Sequence, residues 1–86
     1  MDAEAGAFAG QMAHTPFEDE MELALREAQE AIDTALNEKE AVELAPRRSY
    51  IRRVQHELVE KHHLTSVSIG DEPNRRLKVL PPKSRE

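Results

Sequence analysis

Arginine and histidine recur at four-residue intervals in one stretch of the chain, at Arg48, Arg52 and His56. Residues four apart on an α-helix lie one above another, so these three side chains would form a single stripe. A guanidinium binds phosphate through paired hydrogen bonds and stacks flat on a base. An imidazole adds a hydrogen bond or a second stacking plane. The spacing therefore predicts an exposed helix face suited to phosphate groups and bases.

A turn rich in glycine and proline lies downstream at residues 70–74, and basic residues follow it. If this segment is a hairpin packed beside the helix, its cations would extend the positive surface. Tyr50 adds a ring that could stack on a base or bond to it. The candidate binding residues are Arg48, Tyr50, Arg52, Arg53, His56, Arg75, Arg76 and Lys78.

A structural interpretation of the same helix stays open. Arg52 would then pair with a nearby acid such as Glu57 or Glu60, and His56 would be a structural hydrogen-bonding group. An arginine four residues before a histidine also arises by chance in many helices, so the spacing needs support from elsewhere in the chain.

Charge is divided unevenly along the 86 residues, whose net charge is −5. Residues 1–45 hold two basic and twelve acidic residues, whereas residues 46–86 hold ten basic and five acidic residues. Such asymmetry indicates a partner rather than a fold. The basic half favours a polyanion, and the alternative is an acidic solubilising tail beside an ordinary mixed surface.

Several function classes lack support in the sequence. No glycine-rich phosphate loop with a lysine is present, and no Ser/His/Asp set has a supporting motif, so we expect no enzyme and no cofactor. His62 and His63 are adjacent and would diverge on a helix, which argues against a metal site. The absence of cysteine, of a long apolar run and of a signal peptide fits a cytoplasmic protein without a membrane span.

Periodicity predicts two helices. Apolar residues follow a helical spacing over residues 18–38, at Met21, Leu25, Ala28, Ile32, Ala35 and Leu36. This stripe is expected to pack in the core, with a dimer seam as the alternative. The second helix is expected over residues 49–62, with Ser49 as its cap and Ile51, Val54, Leu58 and Val59 facing inward.

Three short strands complete the expected order. An edge strand is predicted at residues 41–44, and residues 64–69 and 75–80 alternate as the two arms of a hairpin with a five-residue loop. The predicted fold is α+β, in the order helix, strand, helix, strand, strand, with two helices on one face of a mainly antiparallel three-stranded sheet. Residues 1–17 are expected to be a disordered arm, residues 18–82 one domain and residues 83–86 a tail.

These segments together resemble a known family. The matching stretches are Glu43–Pro46, Tyr50–His56 and Ser68–Leu77, which combine an Arg-xxx-His helix with a Ser-x-Gly-x-x-Pro-x-Arg turn. They are similar to the R-three-H domain, named for that helix spacing. The resemblance implies a three-stranded sheet backed by helices, and binding to single-stranded DNA or RNA with Arg52 and His56 as the signature pair. It also implies that Arg75 is the arginine that follows the turn.

The resemblance further implies a bacterial setting, such as Jag-like RNA-binding proteins or ATPases that carry the domain at their C-terminus. Neither the KH domain nor the nucleotide-binding loop of those proteins is expected in this chain. Asn74 stands where Jag-like members tend to have an aromatic residue, which removes one stacking plane.

Two further hypotheses concern the acidic helix. Residues 18–38 could dock on a basic protein or form a dimer, which would make the chain an interaction adaptor. Alternatively, the acidic residues could fold back on the basic surface and compete with nucleic acid. The residues in question are Glu18, Asp19, Glu20 and Glu22.

Overall fold

Two helices and a three-stranded antiparallel sheet form the part of the chain that the computed structural model describes, residues 16–83 without the side chain of Phe17. The predicted α+β class and element order are confirmed. Residues 1–15 of the predicted arm 1–17 and residues 84–86 of the predicted tail 83–86 lie outside the described residues. The elements are α1 Pro16–Glu38, β1 Val42–Glu43, α2 Ser49–Lys61, β2 Thr65–Ile69 and β3 Arg76–Leu80.

Helix α1 begins two residues earlier than predicted, with Pro16 as its first residue. Proline suits this position because its missing N–H would have no partner inside the helix. Glu18 and Asp19 in the first turn favour the positive end of the helix dipole. The helix ends at Glu38 and is followed by Lys39, which has a φ of 59° and whose N–H donates to the Ala35 carbonyl oxygen at 3.0 Å.

The buried face of α1 consists mostly of alanine. Ala24, Ala28, Ala31, Ile32 and Ala35 are buried, whereas Leu36 is exposed and Met21 and Leu25 are half-buried. The predicted stripe was therefore right for Ala28, Ile32 and Ala35 and wrong for Leu36. Small side chains on this face of α1 leave room for the backbone of α2, which packs close against it.

The start of α2 differs from the prediction. Ser49 is the first helical residue, and Arg48 occupies the cap position with an extended backbone and no side-chain cap bond. At the other end, His63 has a φ of 63° and its N–H donates to the Glu60 carbonyl, while the Leu64 N–H donates to the Val59 carbonyl. This pair of bonds closes the helix in the manner that usually recruits glycine at the left-handed position.

A polar residue lies at the centre of the inward face of α2. Ile51, Gln55 and Val59 are buried at four-residue intervals, whereas the predicted inward residues Val54 and Leu58 are only half-buried. The Gln55 side-chain amide Nε2 donates to the Ala24 carbonyl oxygen at 2.9 Å, so it joins the two helices. A buried amide is tolerated here because part of its hydrogen-bonding capacity is satisfied.

The sheet has the strand order β1-β3-β2, so the last strand in sequence is the central one. Val79 of β3 pairs with Val42 of β1 and with Ser66 of β2. Leu77 and Val79 are buried beneath both helices in one core. The hairpin loop, residues 70–75, is one residue longer than predicted because Arg75 precedes β3.

Neither helix in residues 16–83 has the length and apolar character that crossing a bilayer requires.

Candidate functional site

A cleft of about 310 Å³ opens between α2 and the β2–β3 hairpin. Three of the predicted binding residues, Arg52, Arg53 and His56, lie in its wall. The remaining lining residues are Ser49 at the start of α2, and Ser66, Ser68 and Leu77 from the sheet. Cations and hydroxyl groups therefore surround a small apolar floor.

His56 is fixed from both sides of its ring. Its Nδ1 bonds to the Ser66 hydroxyl on β2, and its Nε2 lies 3.1 Å from the Glu60 carboxylate one turn further along α2. The side chain remains partly exposed to the cleft. His56 is thus a hydrogen-bonding group that links helix and sheet, as the structural interpretation expected, and it also lines the cleft.

Arg52 does not lie on an exposed stripe, so that part of the prediction is wrong. Its side chain is 9% exposed, and its guanidinium donates to the Arg47 carbonyl at 2.6 Å and to the Glu72 carboxylate at 3.0 Å. The partner is Glu72, not the predicted Glu57 or Glu60. A guanidinium is tolerated in a buried position when fixed acceptors match its planar donors.

The hairpin loop has a backbone that favours glycine at one position. Gly70 has a φ of 84°, and a Cβ atom there would lie 2.8 Å from Nη1 of Arg76 and 3.1 Å from the Asn74 carbonyl oxygen. The Asn74 N–H donates to the Asp71 carbonyl at 2.7 Å, and Arg75 donates to the Gly70 carbonyl at 2.8 Å. The loop is therefore compact and bonded internally.

Arg53 differs in its surroundings from Arg52, its neighbour in sequence. It is exposed at the cleft wall, and its side chain makes no hydrogen bond or ion pair with any residue of the described range 16–83. Its guanidinium keeps all its donors available for an anion.

The other predicted binding residues are dispersed. Arg48 lines a separate cleft of about 210 Å³ beside Arg47 and Glu72, and Tyr50 is exposed on the first turn of α2 and lines neither cleft. Arg76 and Lys78 were expected to lie beside the helix and do not. They occupy β3 positions that alternate with the buried Leu77 and Val79, so they face the open side of the sheet. There the Arg76 Nε donates to Glu43 at 3.0 Å.

Arg47 connects the loop before α2 to the acidic helix. Its guanidinium donates to Glu27 at 2.9 Å and to Glu20 at 3.4 Å. The hydrogen bond from Arg47 to Glu27 raises the pKa of Arg47, which outweighs the opposing effect of burial. The acidic helix thus does reach a basic residue, but this residue is Arg47 and not one that lines the main cleft.

Sequence reasoning missed the three serines of the cleft. The alternation predicted over residues 64–69 puts Ser66 and Ser68 on the same side of β2, but it does not tell which side faces α2. The signal lies in the pairing, because Ser66 is opposite Val79 and Ser68 is opposite Leu77, and both partners are buried. Within residues 16–83, no three His, Asp or Glu side chains converge as metal ligands.

Comparison with known protein families matches residues 22–81 to the R-three-H domain. This range covers well over half of the chain and includes the cleft. The chain belongs to the R-three-H domain family. Membership confirms the family predicted from the Arg-xxx-His helix and the glycine–proline turn. An R-three-H domain is in general a nucleic-acid-binding module, a binding domain rather than a catalytic one.

This R-three-H domain is also similar to a curated protein. It is 46% identical over 59 residues to the uncharacterized protein ycf45 of Porphyra purpurea. The aligned region covers 67% of this chain and 10% of that protein, so the chain spans about a tenth of the length of this relative. No solved structure matches the chain.

Proposed function

We propose that this R-three-H domain binds single-stranded RNA or DNA, with a backbone phosphate seated in the cleft between α2 and the hairpin. The observation that carries the proposal is the exposed guanidinium of Arg53, unpartnered within residues 16–83, beside His56 and the hydroxyl of Ser68. Cationic donors and hydroxyl groups are the side chains that proteins use to contact phosphate oxygens.

A single strand suits the shape of this site better than a duplex. The cleft is recessed between a helix and a strand, and a flexible single-stranded backbone can bend into such a concavity. A duplex is stiff over about 150 base pairs, so bending it to follow a recess costs free energy that a single strand does not need.

Binding should be weak, dependent on salt and tolerant of sequence. Stacking on aromatic side chains contributes about 1–3 kcal/mol per base in single-strand binding. The chain has one tyrosine, two phenylalanines and no tryptophan, so few stacking positions are available. Phosphate contacts must then supply most of the affinity, and their contribution falls as salt rises.

The test is fluorescence anisotropy with a labelled strand of about 12 nucleotides, as RNA and as DNA, at about 50 mM and about 200 mM salt. We expect Arg53→Ala to weaken binding about tenfold at the lower salt, because it removes a phosphate contact. Arg26→Ala is the matched control, since it removes the same charge from an exposed arginine on α1.

Equal affinity of Arg53→Ala and the wild-type chain would contradict the cleft as the binding site. Equal losses for both variants would mean that net charge alone drives binding. Competition with an unlabelled duplex of the same sequence tests the preference for single strands, and stronger competition by the duplex would overturn it.

Other expectations drawn from the sequence remain predictions. They are the bacterial, Jag-like or ATPase-linked setting, the cytoplasmic location, and docking or dimerisation through residues 18–38. For the last of these, Ile32 is buried in the chain's own core, which leaves less of the predicted stripe for a partner.

A further inference from the structure

Arg52 and Arg53 are adjacent in sequence, and both line the cleft, but their guanidinium groups have different surroundings. Both terminal nitrogens of Arg52 are engaged within the protein. Its Nη1 donates to the Arg47 carbonyl at 2.6 Å and lies 3.5 Å from the Arg75 carbonyl, and its Nη2 donates to the Glu72 carboxylate at 3.0 Å.

These acceptors belong to two separate segments of the chain. Arg47 precedes α2, whereas Glu72 and Arg75 belong to the hairpin loop, which joins β2 and β3, the strands that carry Ser66, Ser68 and Leu77 of the cleft. Arg47 is itself anchored to α1 through Glu20 and Glu27. A continuous chain of polar contacts therefore runs from α1 through Arg47 and Arg52 to the hairpin loop.

To bind a phosphate through its terminal nitrogens, Arg52 would have to release these acceptors. The carbonyls of Arg47 and Arg75 and the Glu72 carboxylate would then need other donors. Arg53 has no such requirement, since none of its guanidinium donors is engaged by residues 16–83. The same phosphate can thus be contacted by Arg53 without any change in the loop.

We propose that Arg52 is a positioning residue, which holds the hairpin loop against the start of α2, and that Arg53 contacts the phosphate. This inference rests on the proposed function, because a cleft that binds no nucleic acid has no phosphate to contact. It assigns different tasks to two neighbouring arginines whose charges are the same.

Lysine substitutions separate the two tasks, because lysine keeps the charge and loses the planar fork of donors. Arg53→Lys should bind a single strand within about twofold of the wild-type chain, since an ammonium still contacts phosphate. Arg52→Lys should bind about tenfold more weakly, because one ammonium cannot span acceptors on two segments. The slope of affinity against salt should stay unchanged in both variants, since neither loses a charge.

Amide hydrogen exchange gives the second measurement. In Arg52→Lys we expect faster exchange at Asn74, whose N–H is bonded within the hairpin loop, and unchanged exchange at Leu77 and Val79 in the core strand. Arg53→Lys should leave exchange at all three positions unchanged. Loss of protection confined to the loop distinguishes positioning from a general loss of stability.

Glu72→Ala serves as the second variant, because Arg52→Lys could fail to fold, which circular dichroism would reveal. Removing this carboxylate takes away the negative charge that lies 3.0 Å from Arg52, a residue of the cleft wall, so a purely electrostatic effect would tighten binding. If Arg52 positions the loop through Glu72, we instead expect faster exchange of the loop amides and binding that is weaker by about threefold.

Tighter binding by Glu72→Ala, or wild-type affinity and loop protection in Arg52→Lys, would overturn the inference. Failure of the proposed function has a different signature, in which the wild-type chain does not bind or Arg53→Ala binds as well as the wild type. If the chain binds no nucleic acid, hydrogen exchange still tests whether Arg52 holds the loop. Unchanged exchange at Asn74 in Arg52→Lys would refute that role.

Discussion

Gln55 is a polar side chain that joins the two helices at their buried interface. It is fully buried, its amide nitrogen is bonded to Ala24, and its Oε1 has no hydrogen-bond partner among residues 16–83. A buried acceptor without a partner costs about 1–3 kcal/mol. The position therefore combines a stabilising bond and a destabilising unsatisfied oxygen in one group.

Substitutions at Gln55 test this balance. Gln55→Met should change the free energy of unfolding by less than about 1 kcal/mol, because methionine fills a similar volume and removes the unsatisfied oxygen. Gln55→Glu should lower it by about 3 kcal/mol or more at neutral pH, because a carboxylate would be buried without a cationic partner. Urea denaturation measures both, and a larger loss for Gln55→Met than for Gln55→Glu would contradict the reasoning.

At the scale of single residues, the sequence specifies residue types but not what surrounds each side chain. Helical spacing correctly placed Ile51 and Val59 inward. It could not place Gln55 or Arg52 there, because polar residues are assigned to the surface unless their acceptors are known. Those acceptors are the carbonyl of Ala24, and the carbonyl of Arg47 with the carboxylate of Glu72, which lie 31, 5 and 20 residues away in sequence.

Both helices end in a left-handed residue that is not glycine. Lys39 follows α1 with a φ of 59°, and His63 follows α2 with a φ of 63°. An L-residue in this conformation costs about 1–2 kcal/mol because its Cβ crowds the following carbonyl oxygen. Glycine avoids this cost but loses more freedom on folding.

We expect His63→Gly to raise the free energy of unfolding by about 0.5–1 kcal/mol, as the relief of crowding exceeds the added entropy loss. Thermal unfolding followed by circular dichroism would then show a midpoint about 3–6 °C higher. His62→Gly is the matched control, since its φ of −97° gives glycine no advantage. That variant should be less stable than the wild-type chain, and equal stabilisation by both would contradict the argument.

The elements themselves were largely predictable, and their ends and faces were less so. Periodicity located both helices and the hairpin, because apolar spacing follows from burial of one side. Alanine has a weak periodic signal, so Ala24 and Ala31 were missed although both are buried. In β2 the residues of either face could have been the buried set. Only the pairing with β3 shows that Ser66 lies on the buried face.

The opposite charges of the two halves of the sequence come together in the fold. The acidic α1 packs against α2, so negative charge lies on the same small domain as the basic cleft. At about 0.01 M salt the screening length is about 30 Å, so charges across the whole domain contribute to the potential at the cleft. At about 0.15 M it falls to about 8 Å, and only near neighbours contribute.

The double variant Glu22→Gln/Glu30→Gln tests this long-range effect, since both side chains are exposed on α1. We expect it to bind single strands about twofold to threefold more tightly at about 0.01 M salt, and like the wild-type chain at about 0.15 M. Anisotropy titrations at the two salt concentrations measure the difference. A gain that persists at the higher salt would indicate a local contact instead of the field of the domain.

The strand order has a consequence for how the chain acquires its shape during synthesis. The central strand β3 is the last of the three to be made, and its pairing of Val79 with Val42 joins residues 37 positions apart. Until residues 76–80 have left the ribosome, β1 and β2 have no strand between them, and neither helix has the surface of Leu77 and Val79 to cover. Contacts of this range form late because the intervening chain must first be closed into a loop. The cleft therefore comes into existence only when β3 arrives, and no translation product that stops before this strand presents it.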